Sequence, residues 1–177
     1  MATSPPQSLV EQALLPHLDA AYNLARWLTR DNQDAEDVVQ EACVRAIRFF
    51  GSFRGGDGRA WLLAIVRNAC YDWLRRRGAP DATTPFDEEI HSIEQPSETP
   101  EALLLQRADR KTLERALAAL PVGWREVVVL RELEGLSYRQ IADIVGVPVG
   151  TVMSRLARAR ARLQRQVAEQ ADEESRR

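Results

Sequence analysis

The chain has 177 residues, 45% of them hydrophobic, with 24 basic against 26 acidic side chains and a formal net charge of −2. That length allows one domain or two small ones, and no apolar run is long enough to span a bilayer. His17 and His91 are isolated, and Cys43 and Cys70 lack metal-ligand neighbours, so neither a zinc cluster nor a nucleophile–base pair is readable.

The sequence therefore argues against an enzyme, and no cofactor is expected. The start, MATSPPQSLVEQ, lacks a basic region followed by an apolar core, so no secretory signal is expected and a soluble cytoplasmic protein is. Cys43 and Cys70 fall on apolar helical positions and read as buried thiols rather than a disulfide.

The first segment, about Leu9 to Thr29, carries Leu14, Leu18, Ala21, Ala25 and Leu28 at helical spacing. Asp31 to Asp34 is a polar break rich in capping residues. Ala35, Val38, Val39, Ala42, Cys43, Ala46, Ile47 and Phe50 then repeat at i, i+3, i+4 and i+7, the pattern of an amphipathic helix. Its other face presents Asp34, Asp37, Gln40 and Glu41. Acidic residues in a first turn favour the helix dipole, and an acidic face also suits a partner. Both readings stay open on the residues alone.

Phe53 to Gly58, FRGGDG, must be a loop, because three glycines in so short a stretch will not hold a helix. RAWLLAIVRNACYDWLRRR reads as the next helix, with Trp61, Leu62, Ile65, Val66, Ala69, Cys70 and Trp73 inside. Its polar complement is Arg67, Asn68, Tyr71, Asp72, Arg75, Arg76 and Arg77. A basic last turn is helped by the dipole. Aromatic and amide side chains near a glycine loop and an arginine cluster also suit unstacked bases and phosphates.

From Gly78 to Glu101 the only charged side chains are Asp81, Asp87, Glu88, Glu89, Glu94, Glu98 and Glu101. Four prolines and no apolar period mark an extended linker. Beyond it Leu103, Leu104, Ala108, Leu113 and Leu117 mark a helix up to Leu120, Pro121 to Gly123 a turn, and Trp124, Val127, Val128, Leu130 and Leu133 another helix, broken at Gly135.

The stretch LSYRQIADIVGVPVGTVMSRLARARARL, Leu136 to Leu163, reads as two helices across a tight turn. Ser137 is the N-cap, and Ile141, Ile144 and Val145 are the inner face. Gly146 sits where a left-handed backbone ends the helix, and Pro148 can start the next. There Val152, Leu156, Ala159 and Leu163 form the packing stripe, and Arg155, Arg158, Arg162 and Arg165 a second one. An arginine stripe alone is usually a solvated face. With this turn and the small Gly150–Thr151 entry, it reads as a helix-turn-helix that enters the major groove. The tail beyond Gln166 is polar and is expected to fray. The fold class is therefore all-α: two small helical domains joined by a flexible acidic linker, the C-terminal one containing the helix-turn-helix. Each is marginal alone, which suggests stabilisation on a partner.

Three stretches in order, DAEDVVQEACVRA, FRGGDGRAWLLAIVRNACYDWLRRR and LRELEGLSYRQIADIVGVPVGTVMSRLARARARL, resemble the extracytoplasmic-function (ECF) group of bacterial RNA polymerase sigma factors. The likeness covers almost the whole chain apart from the linker and the tail. It implies a region-two domain over residues 1–77, an acidic linker over 78–100, a region-four domain over 101–168 and a polar tail over 169–177. It implies a promoter-specificity factor that recruits core RNA polymerase and helps open promoter DNA. The partners are then core polymerase, single-stranded minus-ten and duplex minus-thirty-five DNA, and an anti-sigma factor, with no membrane insertion.

Residue by residue, the resemblance assigns polymerase docking to Asp34, Asp37, Gln40 and Glu41. Phe53, Arg54 and Asn68 fall where the group holds a flipped minus-ten base, with Tyr71, Arg75 and Arg76 on the neighbouring strand path. Pulling a base from the stack costs a few kcal/mol, which an aromatic and an amide in a pocket can offset. Thr151, Ser154, Arg155 and Arg158 fall on the minus-thirty-five helix, and Arg131 on a phosphate contact. Met153 departs from the pattern, standing where many members carry Lys or Arg. A stand-alone helix-turn-helix regulator is the alternative, and it leaves the acidic helix, the glycine loop and the linker without purpose.

Overall fold

The computed structural model describes residues 7–79 and 110–176. The linker, His91 and the helical positions Leu103, Leu104 and Ala108 lie outside the described residues. Among those described, every regular element is helical and no strand occurs. No helix there is long and apolar enough to cross a membrane.

Helix α1 spans Gln7–Leu14 and α2 spans Leu18–Thr29, with one 3-10 turn, Leu15–His17, between them. The sequence suggested a single segment here. Pro16 breaks it, because its ring removes a backbone donor and crowds the preceding turn. Helix α3, Asn32–Phe49, starts on Asp31, whose carboxylate accepts the Asp34 N–H at 2.9 Å. Ala35, Val38, Ala42 and Ala46 are its buried stripe, and the small side chains let α2 and α4 come close. Ile47, read as an inward position, is instead 54% exposed, beside Val44 at 56%. The apolar arc of α3 is wider than the strip its neighbours cover.

Helix α4, Gly58–Arg76, is capped by Asp57, which accepts the Ala60 N–H at 3.1 Å. Leu62, Leu63, Val66, Ala69 and Cys70 are buried against α2 and α3. Each fully buried leucine contributes about 1.5–3 kcal/mol relative to leaving it in water.

The C-terminal half contains α5 (Arg110–Ala118), α6 (Val122–Val128), α7 (Tyr138–Val145) and α8 (Val149–Ser175). The helix expected from Trp124 to Leu133 does not stay regular: after Val128 it widens into a π-helical turn, Val129–Leu133. The expected fraying beyond Gln166 is also absent, since α8 continues to Ser175. QVAEQADEES contains no glycine or proline, and Val167 is buried, so nothing stops the helix at Gln166.

The two halves are in contact. Helix α2 packs on α6 and α4 on α7, so the buried side chains of both halves form one continuous cluster.

Candidate nucleic-acid interface

The helix-turn-helix is built as its residues require. Ser137 Oγ accepts the Gln140 N–H at 3.1 Å, and Gln140 Oε1 accepts the Ser137 N–H at 2.9 Å, a reciprocal capping box. Gly146 ends α7 at φ 77° with its N–H on the Ala142 carbonyl at 2.8 Å. Without a Cβ it takes this left-handed conformation at no steric cost. Val152, Leu156, Ala159 and Leu163 are all buried, so the packing stripe of α8 sets which face looks out.

Of the residues assigned to duplex DNA, Thr151, Ser154 and Arg158 are half-buried on α8, with the Ser154 hydroxyl donating to the Thr151 carbonyl at 3.0 Å. Met153 is half-buried beside them. Arg155 is more enclosed: its side chain is 14% exposed, with Nη1 3.7 Å from Glu126 Oε1. Arg131 donates to the Leu136 carbonyl at 2.8 Å and lies 4.6 Å over the Tyr138 ring, so it braces the entry to α7. Arg165 is exposed and Arg162 half-buried.

In the N-terminal half, Phe53 is half-buried, 5.6 Å from the Phe50 ring and 5.0 Å from Trp61. It borders an open cleft of about 420 Å³ lined also by Leu9, Gln12, His17 and the loop glycines. Gly58 is tightly placed there, since a Cβ on it would lie 3.1 Å from the Ala13 carbonyl oxygen. Arg54 is exposed. Asn68 is exposed but does not line this cleft. It stands ten residues beyond Gly58, about 15 Å along α4 at 1.5 Å per residue. The structure therefore does not bring Phe53 and Asn68 into one pocket.

Farther down α4, charge is paired. Asp72 accepts from Arg45 at 2.9 Å and also from Arg75. The Arg45 hydrogen bond is the main reason its carboxyl is held below the usual range, against a smaller desolvation effect. Glu41 pairs with Arg45 and with Arg76 at 3.3 Å, and Asp34 with Arg77 at 3.2 Å. Asp37 and Gln40 are exposed on the outer face of α3. Val44 and Ile47 continue that face as exposed apolar residues. The apolar spacing puts Ile47 inward and leaves Val44 unmarked, although Asp37, Gln40, Val44 and Ile47 recur at three, four and three residues.

Tyr71, expected on a single-strand path, lies instead in the contact between the halves. The Arg67 guanidinium sits 4.0 Å from its ring centre, a favourable cation–π arrangement. Burial pushes the Tyr71 hydroxyl well up, and the neighbouring Glu126 carboxylate adds to this. Glu126 is fully buried on α6 and takes Arg67 in a two-pronged pair, Nε at 2.9 Å and Nη2 at 3.2 Å. Glu134 accepts from Arg59 Nη2 at 2.8 Å and from Asn23 Nδ2 at 2.6 Å. Arg125 donates across to the Trp27 carbonyl at 3.0 Å. Among the described residues, no group of histidine, cysteine and acidic side chains could hold a metal ion.

Residues 14–79 match the family model for Sigma-70 region 2, and residues 110–163 the model for Sigma-70, region 4. The chain is 35% identical over 164 residues to the ECF RNA polymerase sigma factor SigE of Mycolicibacterium smegmatis, covering 92% of this chain and 63% of SigE. It is 38% identical over 156 residues to the ECF sigma factor SigM of Mycobacterium tuberculosis, covering 88% and 75%. It therefore spans between three-fifths and three-quarters of the length of these relatives. Two solved structures are similar. The sigma factor RpoE, in complex with the anti-sigma factor NepR from Bartonella quintana, has a TM-score of 0.68, 32% identity, and coverage of 89% of this chain and 96% of that one. CnrH in complex with the cytosolic domain of CnrY has a TM-score of 0.66, 28% identity, and coverage of 94% and 92%.

Proposed function

The chain belongs to the extracytoplasmic-function group of RNA polymerase sigma factors, and from that premise we propose that it recruits core RNA polymerase to alternative promoters and helps open the duplex. It reads two promoter elements with different parts of one chain. The glycine loop and α4 take the minus-ten element as single strand, with Phe53, Arg54, Asn68, Arg75 and Arg76 as the contacting residues, joined by Tyr71 once the contact between the halves that covers it parts. Thr151, Ser154, Arg155 and Arg158 on α8, with Arg131 behind them, take the minus-thirty-five element as duplex.

The polymerase seat is the outer face of α3: Asp34, Asp37, Gln40 and Glu41, extended by the exposed Val44 and Ile47. An exposed apolar pair next to acidic and amide groups suits a protein partner better than DNA. The factor performs no catalysis of its own and works in the cytoplasm, where the polymerase is. One solved relative is a sigma factor captured with an anti-sigma factor, and a partner of that kind is proposed for this chain.

One observation carries the reading. A capped helix-turn-helix and a separate helix with an acidic and apolar outer face occur in the same chain. A stand-alone regulator needs only the first. The test is a pull-down with purified core RNA polymerase, then run-off transcription on genomic promoter fragments. Binding to core with discrete new start sites supports the proposal, and DNA binding that ignores core overturns it.

A further inference from the structure

We propose that the chain holds itself closed, with Glu126 and Glu134 of the C-terminal half occupying α4 arginines as stand-ins for the phosphates of the minus-ten single strand. The proposal rests on the sigma-factor reading for the identity of that strand. The contact is made by two ion pairs. Arg67 takes Glu126 and Arg59 takes Glu134, at 2.9 and 2.8 Å. The two arginines are eight residues apart on α4, the two carboxylates are eight apart on the facing segment, and the order is antiparallel. Glu126 is fully buried and Glu134 has a side chain only 10% exposed, so neither pair is a surface ion pair of negligible worth. Tyr71 is covered in the same contact.

Function requires this contact to open. Elements named at minus ten and minus thirty-five lie about 25 base pairs apart, about 85 Å at 3.4 Å per step. Here the two halves touch, with Gln140 Nε2 2.8 Å from Asp57 Oδ2 beside the glycine loop. A closed chain cannot occupy both elements of straight duplex. Two carboxylates set on two guanidinia that lie along one helix with an aromatic ring present to α4 what a single strand would present: spaced anionic oxygens on arginine forks. The strand and the C-terminal half then compete for one surface, and the protein stays idle until polymerase, DNA or both displace the acidic pair.

The experiment uses the full chain and two double variants, E126Q/E134Q and R59Q/R67Q. Folding is verified first by helical circular dichroism and a cooperative melt, and E134Q alone serves if the buried Glu126 change unfolds the protein. Small-angle scattering reports opening, and fluorescence anisotropy reports binding of labelled oligo(dT). Both double variants should show a larger radius of gyration than the wild type. E126Q/E134Q, which keeps its arginines, should bind oligo(dT) roughly five- to tenfold tighter, because a larger fraction of molecules is competent. R59Q/R67Q should open without that gain. An unchanged radius in folded variants overturns the latch. Opening of E126Q/E134Q with no gain over R59Q/R67Q overturns the phosphate mimicry. Run-off transcription by the wild type with core polymerase tests the sigma reading separately, so the two failures are distinguishable.

Discussion

Asp57 and Gln140, which are 83 residues apart in the chain, join the caps of two helices. One Asp57 oxygen accepts the Ala60 N–H of α4, and the other accepts the Gln140 amide, whose own oxygen closes the capping box of α7. Burial alone would raise the Asp57 carboxyl, but the Ala60 N–H, the Gln140 amide and lesser contacts outweigh it and hold it below the usual range. The folded state therefore prefers the ionised form more than the unfolded chain does. Its stabilisation is complete above the ordinary value of about 3.9 and is lost as pH falls through the lower folded value. Melting curves from pH 7 down to about 3 should show this loss in the wild type. Asp57→Ala should cost about 1 kcal/mol at neutral pH and flatten the acid limb; an acid limb identical to wild type would refute the assignment.

Arg158→Ala should weaken binding of a minus-thirty-five duplex by about 1–3 kcal/mol if the side chain reads a base edge. Arg155→Ala should behave differently. Its guanidinium lies beside the buried Glu126, so its removal should lower the melting temperature as well as DNA affinity. A melting temperature of Arg155→Ala equal to that of the wild type would place Arg155 on DNA alone.

Val44→Asp with Ile47→Asp should abolish core polymerase capture while leaving the fold intact. Both side chains are more than half exposed, and exposed substitutions usually change stability by no more than about 0.5 kcal/mol. A loss of about 2 kcal/mol or more in polymerase affinity is the signature of a central docking residue. Native gel titration against core reads it directly, and wild-type affinity would remove these two residues from the docking face.

Cys70 should resist alkylation in the native protein. Burial pushes its thiol up to about 12, and burial raises the half-buried Cys43 as well. The thiolate is the reactive form, so iodoacetamide at pH 8 should leave Cys70 unmodified until denaturant is added. Mass mapping that finds native Cys70 modified as fast as a free thiol would show that α4 opens locally.

What the sequence made legible was local. Ser137, Gly146 and the Val152–Leu163 stripe each depend on neighbours within a turn or two, and the structure has each where the residues require it. Misreadings came where tertiary context decides. The pattern around Ile47 is apolar on too wide an arc to say which part is covered. The break at Pro16 is masked in the sequence because apolar spacing continues across it. The polarity of the tail suggests fraying, but a segment without glycine or proline has nothing to end the helix. Arg67, Tyr71 and Glu126 were readable only as polar or aromatic positions, since periodicity gives a residue's face but not its partner 59 residues away.

The π-helical turn at Val129–Leu133 has a consequence for inheritance. A π turn holds about one residue more than an α turn, and so behaves like an insertion that the fold has absorbed. Deleting a single codon there would leave the composition of the segment almost unchanged and allow a regular helix through it. Later residues would keep nearly their present phase, whereas one residue more than the turn already holds would rotate each of them by about 100° and carry Glu134 away from Arg59. In this stretch chain length is tolerated in one direction only, and a library of single-residue insertions should show a lesion that single-residue deletions at the same positions do not reproduce.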